Sequence, residues 1–211
     1  MKIGQSIIKL DKRWKLEDFS ILTKEYQQLY GFFHALHAIN DNQFTDIDFG
    51  HMPWLGGGSV VGFFGILSNR VKQNDKPTVK RIQYASPGFI ELTLLTDIAT
   101  DISSIVAALS GAIASAAGTY HLIHSQYQKR KLTQLKIKDL EAQQLRDEIE
   151  FVKKSIIELH DTFNLSPEQV VALHKLSKND ELIQLKMLLA LYRRAKPLAE
   201  LQSQNKANFG D

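Results

Sequence analysis

The sequence predicts an α+β protein that is predominantly helical, with a small antiparallel sheet of about three strands covered by a helix. Two observations support this prediction. Short alternating apolar runs, which are typical of strands, stand on either side of a turn in the first half of the chain. Helical apolar spacing fills most of the chain after residue 95, and this part is predicted to form a C-terminal helical bundle or a coiled-coil arm.

The composition excludes several classes of protein. The 211 residues include 26 Lys and Arg, 23 Asp and Glu and no Cys, and the formal net charge is +3. A disulfide framework, a thiolate metal site and a cysteine nucleophile are therefore excluded. The near-neutral balance argues against a dedicated nucleic-acid binder. Because the first residues lack the long apolar run of a signal peptide, we expect a cytoplasmic protein, with a peripheral position at the membrane as the alternative.

The first 95 residues are predicted to form a small α+β module. Residues 3–10 alternate as a strand, with Ile8 and Leu10 on one side and Ile3 and Ile7 on the other. From residue 16 to residue 37, apolar side chains recur at the spacing of one helix face: Phe19, Leu22, Tyr26, Leu29, Tyr30 and Phe33. This helix is the natural cover for the apolar face of the sheet.

Residues 78–95 are predicted to form a β-hairpin. Ile82 and Tyr84 alternate with polar residues before the turn, and apolar and polar residues alternate again from residue 90 to residue 94. Between the two runs stands Ser86-Pro87-Gly88, in which Pro and Gly favour a tight reversal. One face of the hairpin is apolar, so we expect another element to cover it.

The hairpin sequence Ile82-Gln83-Tyr84-Ala85-Ser86-Pro87-Gly88-Phe89-Ile90-Glu91-Leu92, followed by long helices, resembles a loose group of uncharacterised bacterial proteins. They share a Tyr-x-Ser-Pro turn, an N-terminal strand–helix unit and a helical tail. The resemblance covers the layout of most of the chain, and its specific part is about ten residues long. It implies a bacterial origin and brings no activity with it.

Residues 96–128 are predicted to form a central helix, and residues 102–128 carry no formal charge. One face is bulky, with Ile102, Ile105, Val106, Leu109 and Ile113, whereas the opposite face is small, with Ala107, Gly111, Ala114 and Gly118. Three interpretations are open. The helix is a core helix buried on both sides, or its small face is a homo-oligomer contact, or the segment inserts into a membrane.

Residues 129–211 are predicted to form the helical bundle or coiled-coil region. A 3–4 apolar spacing runs through Leu145, Ile149, Val152 and Ile156 to Phe163. This seam either packs on later helices of the same chain or binds a partner. Ser166-Pro167 with Gln169 predicts a capping box that opens the next helix. A break at 177–180 precedes a last helix over 181–195, or beyond it if Pro197 only kinks the helix.

Two further segments have alternative interpretations. Residues 54–67 are uncharged and rich in Gly and Phe, so Trp54, Phe63 and Phe64 either contact a membrane or tuck onto the core. Asp46, Asp48 and His51 form the best cluster of hard metal ligands, and His34/His37 and His121/His124 are spaced to share a face. No calcium-loop or zinc pattern is completed, so we expect no resident metal and no cofactor.

These patterns favour a non-enzymatic oligomerisation or adaptor protein that binds itself, another protein or both. The partner-binding candidates are Ala107, Gly111, Ala114, Gly118, Leu145, Ile149, Val152 and Ile156. The alternative is a bacterial effector, toxin-like or defence-associated, that acts on membranes through residues 54–67 and 102–123. A metal-dependent hydrolase centred on Asp46, Asp48 and His51 is the weakest of the three hypotheses.

Overall fold

The computed structural model describes residues 2–41, 60–85, 87–130 and 142–210, and in these ranges it is α+β and predominantly helical, as predicted. The strands are β1 (Ile3–Leu10), β2 (Thr78–Gln83), β3 (Gly88–Leu95) and β4 (Ala207–Asn208). The helices are α1 (Leu16–Asn40), α2 (Val60–Arg70), α3 (Thr96–Gly111), α4 (Ile113–Lys129), α5 (Ala142–Phe163), α6 (Pro167–Leu176) and α7 (Glu181–Ser203).

The sheet is antiparallel throughout, with the strand order β2-β3-β1-β4. β1 and β3 pair along their whole length, from Ile3 opposite Leu95 to Leu10 opposite Gly88. The prediction of about three strands is one strand short, because Ala207 and Asn208 add β4 beside the end of β1. A strand of two residues is too short to show an alternating pattern in the sequence.

The helix α1 covers one face of the sheet, as the sequence predicts. Ile8 and Leu10 are almost fully buried on that face, whereas Ile3 and Ile7 on the opposite side are 55% and 40% exposed. The buried Tyr30 hydroxyl joins α1 to the end of β3, because it accepts a hydrogen bond from the Leu95 N–H at 3.0 Å. Burial raises the pKa of Tyr30 to about 12, so this hydroxyl stays protonated.

The hairpin of β2 and β3 is present where the sequence predicts it, but only β3 is covered. Ile90, Leu92 and Leu94 of β3 are buried, whereas Val79 and Ile82 of β2 are 57% and 54% exposed. The expectation that another element covers the apolar face of the hairpin is therefore wrong for β2. The side chains of β2 stay exposed because β2 is an edge strand, whereas α1 lies over β3 and β1.

The predicted central helix is two helices, α3 and α4, whose axes are bent by 93° at Ala112. At this residue φ is −133° and ψ is 37°, which lies outside the helical region. Gly111, a poor helix former, precedes the break. Helical apolar spacing continues on both sides of Ala112, so the break is hidden in the sequence pattern.

The predicted cap and the predicted break in the C-terminal half are both confirmed. The Ser166 Oγ accepts a hydrogen bond from the Gln169 N–H, and the Gln169 side chain accepts one from the Ser166 N–H, which completes the capping box of α6. Asp180 caps α7, since its carboxylate accepts the Ile183 N–H at 2.9 Å. α7 continues through Pro197 to Ser203, which is the longer of the two predicted extents.

The core of the molecule is organised around α7, which contacts α1, α3, α4 and α5. Its side chains at Leu185, Leu188 and Leu191 are fully buried. One hydrophobic cluster includes residues from all three sequence segments, 1–95, 96–128 and 129–211. A buried ion pair also joins α7 to α1, because the Arg194 guanidinium lies 3.1 Å from the Glu25 carboxylate.

The segment after α7 contacts residues 11–26 through hydrogen bonds, an ion pair and an aromatic contact. The Asp11 N–H donates to the Lys206 carbonyl at 2.9 Å, and the Trp14 indole N–H donates to the same oxygen at 3.2 Å. Lys206 forms an ion pair with Asp18 at 2.9 Å, and the Phe209 ring is buried against Tyr26. The segment after α7 is therefore part of the fold.

Candidate functional site

The four small residues of the predicted contact face all lie on the surface. Ala107 and Gly111 are exposed on α3, and Ala114 and Gly118 are exposed on α4. A Cβ atom added at Gly111 or Gly118 would meet no other atom within 4 Å. The bulky side of α3 is directed inward, with Ile102, Ile105, Val106 and Leu109 almost fully buried, whereas Ile113 on α4 is only partly buried.

The expectation of a core helix buried on both sides is therefore wrong, because only the bulky side is covered. The bend at Ala112 also divides the small face between two helices that meet at 93°. Residues 102–128 themselves carry no formal charge, and Leu122 of α4 is 58% exposed. The exposed Arg193 of α7 lies near His124 of α4, whose pKa it helps to lower. We call the exposed small side chains of α3 and α4 the α3–α4 surface.

The apolar seam of α5 packs inside the chain. Val152 and Ile156 are 1% and 5% exposed and lie in the hydrophobic core, and Ile149 is half-buried. Val152 and Ile156 are thus inaccessible to a partner, and their assignment as partner-binding residues is wrong. The physical reason is that α7 and the neighbouring helices α3 and α4 already contact α5. Leu145 lies near the start of α5, where its side chain is outside the described part of the structure.

The two phenylalanines proposed to contact a membrane are core residues. Phe63 and Phe64 are 0% and 1% exposed, and the Phe64 ring stacks on the Phe32 ring of α1 with centroids 5.4 Å apart. The alternative interpretation, a helix tucked onto the core, is the one that the structure shows for these residues. Trp54 and the proposed metal ligands Asp46, Asp48 and His51 lie outside the described residues.

The histidines of α1 find acidic partners on other elements. His37 Nε2 lies 2.6 Å from Asp101 Oδ2 of α3, and this hydrogen bond raises the pKa of His37. His34 Nε2 lies 3.9 Å from the Asp75 carboxylate, and burial lowers the pKa of His34. In the described ranges, no group of three or more His, Asp or Glu side chains is arranged to hold a metal ion. The first contact joins α1 to α3, and the second joins α1 to the segment between α2 and β2.

An apolar groove that the sequence patterns do not predict lies between α1 and the outer part of the sheet. It has a volume of about 280 Å³, with Phe19, Leu22 and Tyr26 on its helix side. Val79 and Ile82 of β2 form its outer wall, and Ile8, Ile90 and Leu92 form its floor. Polar side chains lie at its rim: Thr23, Gln27 and Lys76. A mostly apolar concave site with a few polar groups is typical of binding sites.

One sequence signal points to this groove in retrospect. Val79 and Ile82 are separated by Lys80 and Arg81, so the apolar and polar positions of β2 do not alternate regularly. A bulge explains the spacing, because both cations lie on the face of the sheet away from α1 and contact Glu91. An irregular strand of this kind is typical of a sheet edge.

Within the described residues no single helix is long and apolar enough to cross a bilayer, and α3 and α4 reach the required length and composition only as a pair, across their bend.

Comparisons with protein-family models, with curated proteins and with solved structures found no match.

Proposed function

We propose that the protein is a non-enzymatic interaction protein that associates with itself, and by the same means with another protein, through the α3–α4 surface. The observation that supports this most directly is the exposure of Ala107, Gly111, Ala114 and Gly118 in a stretch of the chain that carries no formal charge. Small side chains let the backbone of a second helix approach closely, so that many weak contacts form over a short distance.

The proposal assigns no enzymatic role, no cofactor and no nucleic-acid partner, and it sets the interaction in the cytoplasm. The small, uncharged side chains of this surface lack the long-range attraction that a basic or acidic patch has for a charged partner. We therefore expect association to depend on shape and on apolar burial, and to persist at high salt.

Light scattering over a wide concentration range tests the proposal. The wild-type chain is expected to have the mass of a dimer or a larger assembly, and Gly118→Arg is expected to be a monomer. Because the space around Gly118 is open, the arginine leaves the fold of the single chain intact. Val171→Arg is the matched control, since Val171 is 51% exposed on α6, outside the α3–α4 surface. A wild-type monomer at all concentrations would count against self-association.

A second candidate function is action on membranes as a bacterial effector, toxin-like or defence-associated. It is favoured by one observation, namely that α3 and α4 together have the length and composition of a broken membrane span. Insertion would require α3 to leave the core, because Ile102 and Val106 are fully buried. Dye release from anionic and neutral vesicles tests this function, and the absence of release from both would remove it.

A further inference from the structure

The outer edge of β2 is available for pairing. Among the described residues β2 pairs with β3 alone, and every residue of β2 is exposed. An edge strand directs half of its backbone N–H and C=O groups outward, where they can pair with another strand. No proline interrupts β2, because Pro77 precedes its first residue. No other strand of the described residues occupies the outer edge of β2, so its backbone can pair with a further strand.

The two faces of β2 differ in chemistry. Val79 and Ile82 are directed to the apolar groove beside α1. Lys80 and Arg81 lie on the opposite face, where Lys80 Nζ is 2.8 Å and Arg81 Nε is 3.4 Å from the same carboxylate, that of Glu91. Two cations thus share one anion, and this face of the edge keeps a surplus positive charge.

We propose that β2 binds an extended peptide in which apolar residues alternate with acidic ones, added as a fifth strand to the sheet. In an added strand, successive side chains are directed to opposite faces. The apolar residues then lie beside Val79 and Ile82 and extend the groove, and the acidic residues lie beside Lys80 and Arg81. Backbone hydrogen bonds supply affinity, and the two faces of β2 select the alternating pattern.

The groove gives the apolar residues of the peptide a site to enter. Phe19 and Tyr26 on α1 face Ile82 across a space of about 280 Å³, which is enough for one or two side chains. Lys76 lies at its rim and adds a third cation to the same end of the sheet. In the segment 76–83 there are three cations and no anion, so the charge that complements this segment is negative.

A second copy of the chain is a poorer occupant of this edge. In a symmetric antiparallel pair of β2 strands, Lys80 of one copy faces Arg81 of the other, and a shift by one residue places Lys80 opposite Lys80 or Arg81 opposite Arg81. Like charges directly opposite each other destabilise a strand pair. In these registers the edge disfavours a second copy and favours an acidic strand. It involves different elements from the α3–α4 surface, so the two proposals succeed or fail independently.

Fluorescence anisotropy tests the proposal. A labelled octapeptide with alternating valine and glutamate is titrated with the full chain. We expect saturable binding that weakens as salt is added. The double variant Lys80→Glu/Arg81→Glu should weaken binding about tenfold or more and should gain binding of the alternating valine–lysine peptide. Ile82→Glu should also weaken binding, because it places a charge in the apolar wall. Lys153→Glu/Lys154→Glu on α5 is the control with the same change in net charge.

Thermal unfolding of each variant measures whether its fold is intact. The double charge reversal removes both cationic partners of Glu91, so Ile82→Glu, at an exposed residue outside that ion-pair cluster, tests the proposal without that loss. Absence of saturable binding, or equal binding by wild type and both variants, would overturn the proposal. Self-association of the wild type that Ile82→Glu abolishes would identify a second copy as the occupant instead. Displacement of the peptide by a medium-chain fatty acid, without effect of the charge reversal, would show that the groove takes a small amphiphile.

Discussion

At the level of single residues, the two histidines of α1 both face a carboxylate, yet their pKa values are shifted in opposite directions. The pKa of His37 is raised by its hydrogen bond to Asp101, whereas the pKa of His34 is lowered by burial. Protonation at mildly acidic pH therefore strengthens the contact between α1 and α3 and costs free energy at His34. The stability of the molecule below neutral pH depends on the balance of these two sites and of His124 and His160, whose pKa values burial also lowers.

The Asp101→Asn substitution isolates the His37 contribution. Because the pKa of His37 in the folded chain is above its ordinary value of 6.5, the stabilisation is complete below that pH and is lost as the pH rises through the folded pKa. We expect Asp101→Asn to lower the free energy of unfolding by about 1–2 kcal/mol near pH 5.5, and by much less near pH 8.5. Urea unfolding at both pH values measures this.

Glu150→Gln, which removes an exposed carboxylate from α5, is the control for the change in net charge. His34, His124 and His160 are common to all the variants, so their effects cancel in the comparison. An equal loss at both pH values would show that the bond between His37 and Asp101 does not depend on a charged imidazole.

At the level of elements, the contact between α1 and α2 depends on one glycine. A Cβ atom at Gly31 would lie 2.5 Å from the Ser68 backbone N and Cα, which is far inside van der Waals contact. The backbone of Gly31 thus lies directly against the backbone of Ser68, with no side chain between them. The Phe32 and Phe64 rings stack beside this contact. Any larger residue at Gly31 must separate the helices and disturb the stack.

Gly31→Ala is expected to lower the free energy of unfolding by about 1–3 kcal/mol through overpacking. Gly118→Ala is the matched control, since the same atoms are added to a helix where nothing lies within 4 Å. There we expect a gain of about 0.5–1 kcal/mol, because alanine favours the helix over glycine. Urea midpoints compare the two variants, and an unchanged midpoint for Gly31→Ala would contradict the close approach.

Elements with a strong periodic pattern could be predicted from the sequence, whereas their ends and breaks could not. β1 begins and ends where the alternation of Ile3 to Leu10 does, and α6 begins at the capping box of Ser166. The bend at Ala112 was missed because apolar spacing continues across it. A periodic pattern reports which faces are apolar, and it contains no signal for a single residue that leaves the helical region.

The same limit applies to the candidate site. The sequence identified a small face on α3 and α4, and the structure shows it exposed, whereas the seam through Val152 and Ile156 is buried. Both are apolar helix faces, and periodicity alone does not say whether a neighbour of the same chain covers a face. The groove beside α1 was missed for a related reason, since it forms only where β1 and α1 meet the hairpin of β2 and β3, which is distant from them in sequence.

At the level of the whole molecule, the chain is closed by contacts between its first and last described segments. β4 pairs with β1, and Phe209 is buried against Tyr26 of α1. Residues 207–208 thereby form the edge of the sheet opposite β2, and Phe209 fills the space beside Tyr26 of α1. Because β1 and β4 are the first and last elements of the chain, their contacts are among the most distant in sequence. The sheet is complete only when the segment after α7 has reached β1.

Phe209→Ala is expected to lower the free energy of unfolding by about 3 kcal/mol, because the ring is 6% exposed and its removal leaves a cavity. The Asp11 amide, which donates to Lys206, should then exchange its hydrogen faster. Gln204→Ala, at an exposed position of the same segment, should change stability by less than about 0.5 kcal/mol. Equal stability of the two variants would show that the closing contact is dispensable.

The bulge in β2 affects how the outer edge of the sheet can change during evolution. Lys80 is the extra residue between Val79, opposite Leu92, and Arg81, opposite Glu91. Deleting Lys80 would leave a regular strand with Val79 and Ile82 still directed to the groove, and would remove one positive charge from the other face. A single inserted or deleted codon can thus retune the electrostatics of one side of the sheet while the apolar side keeps its shape, which separates the evolution of partner preference from the evolution of stability.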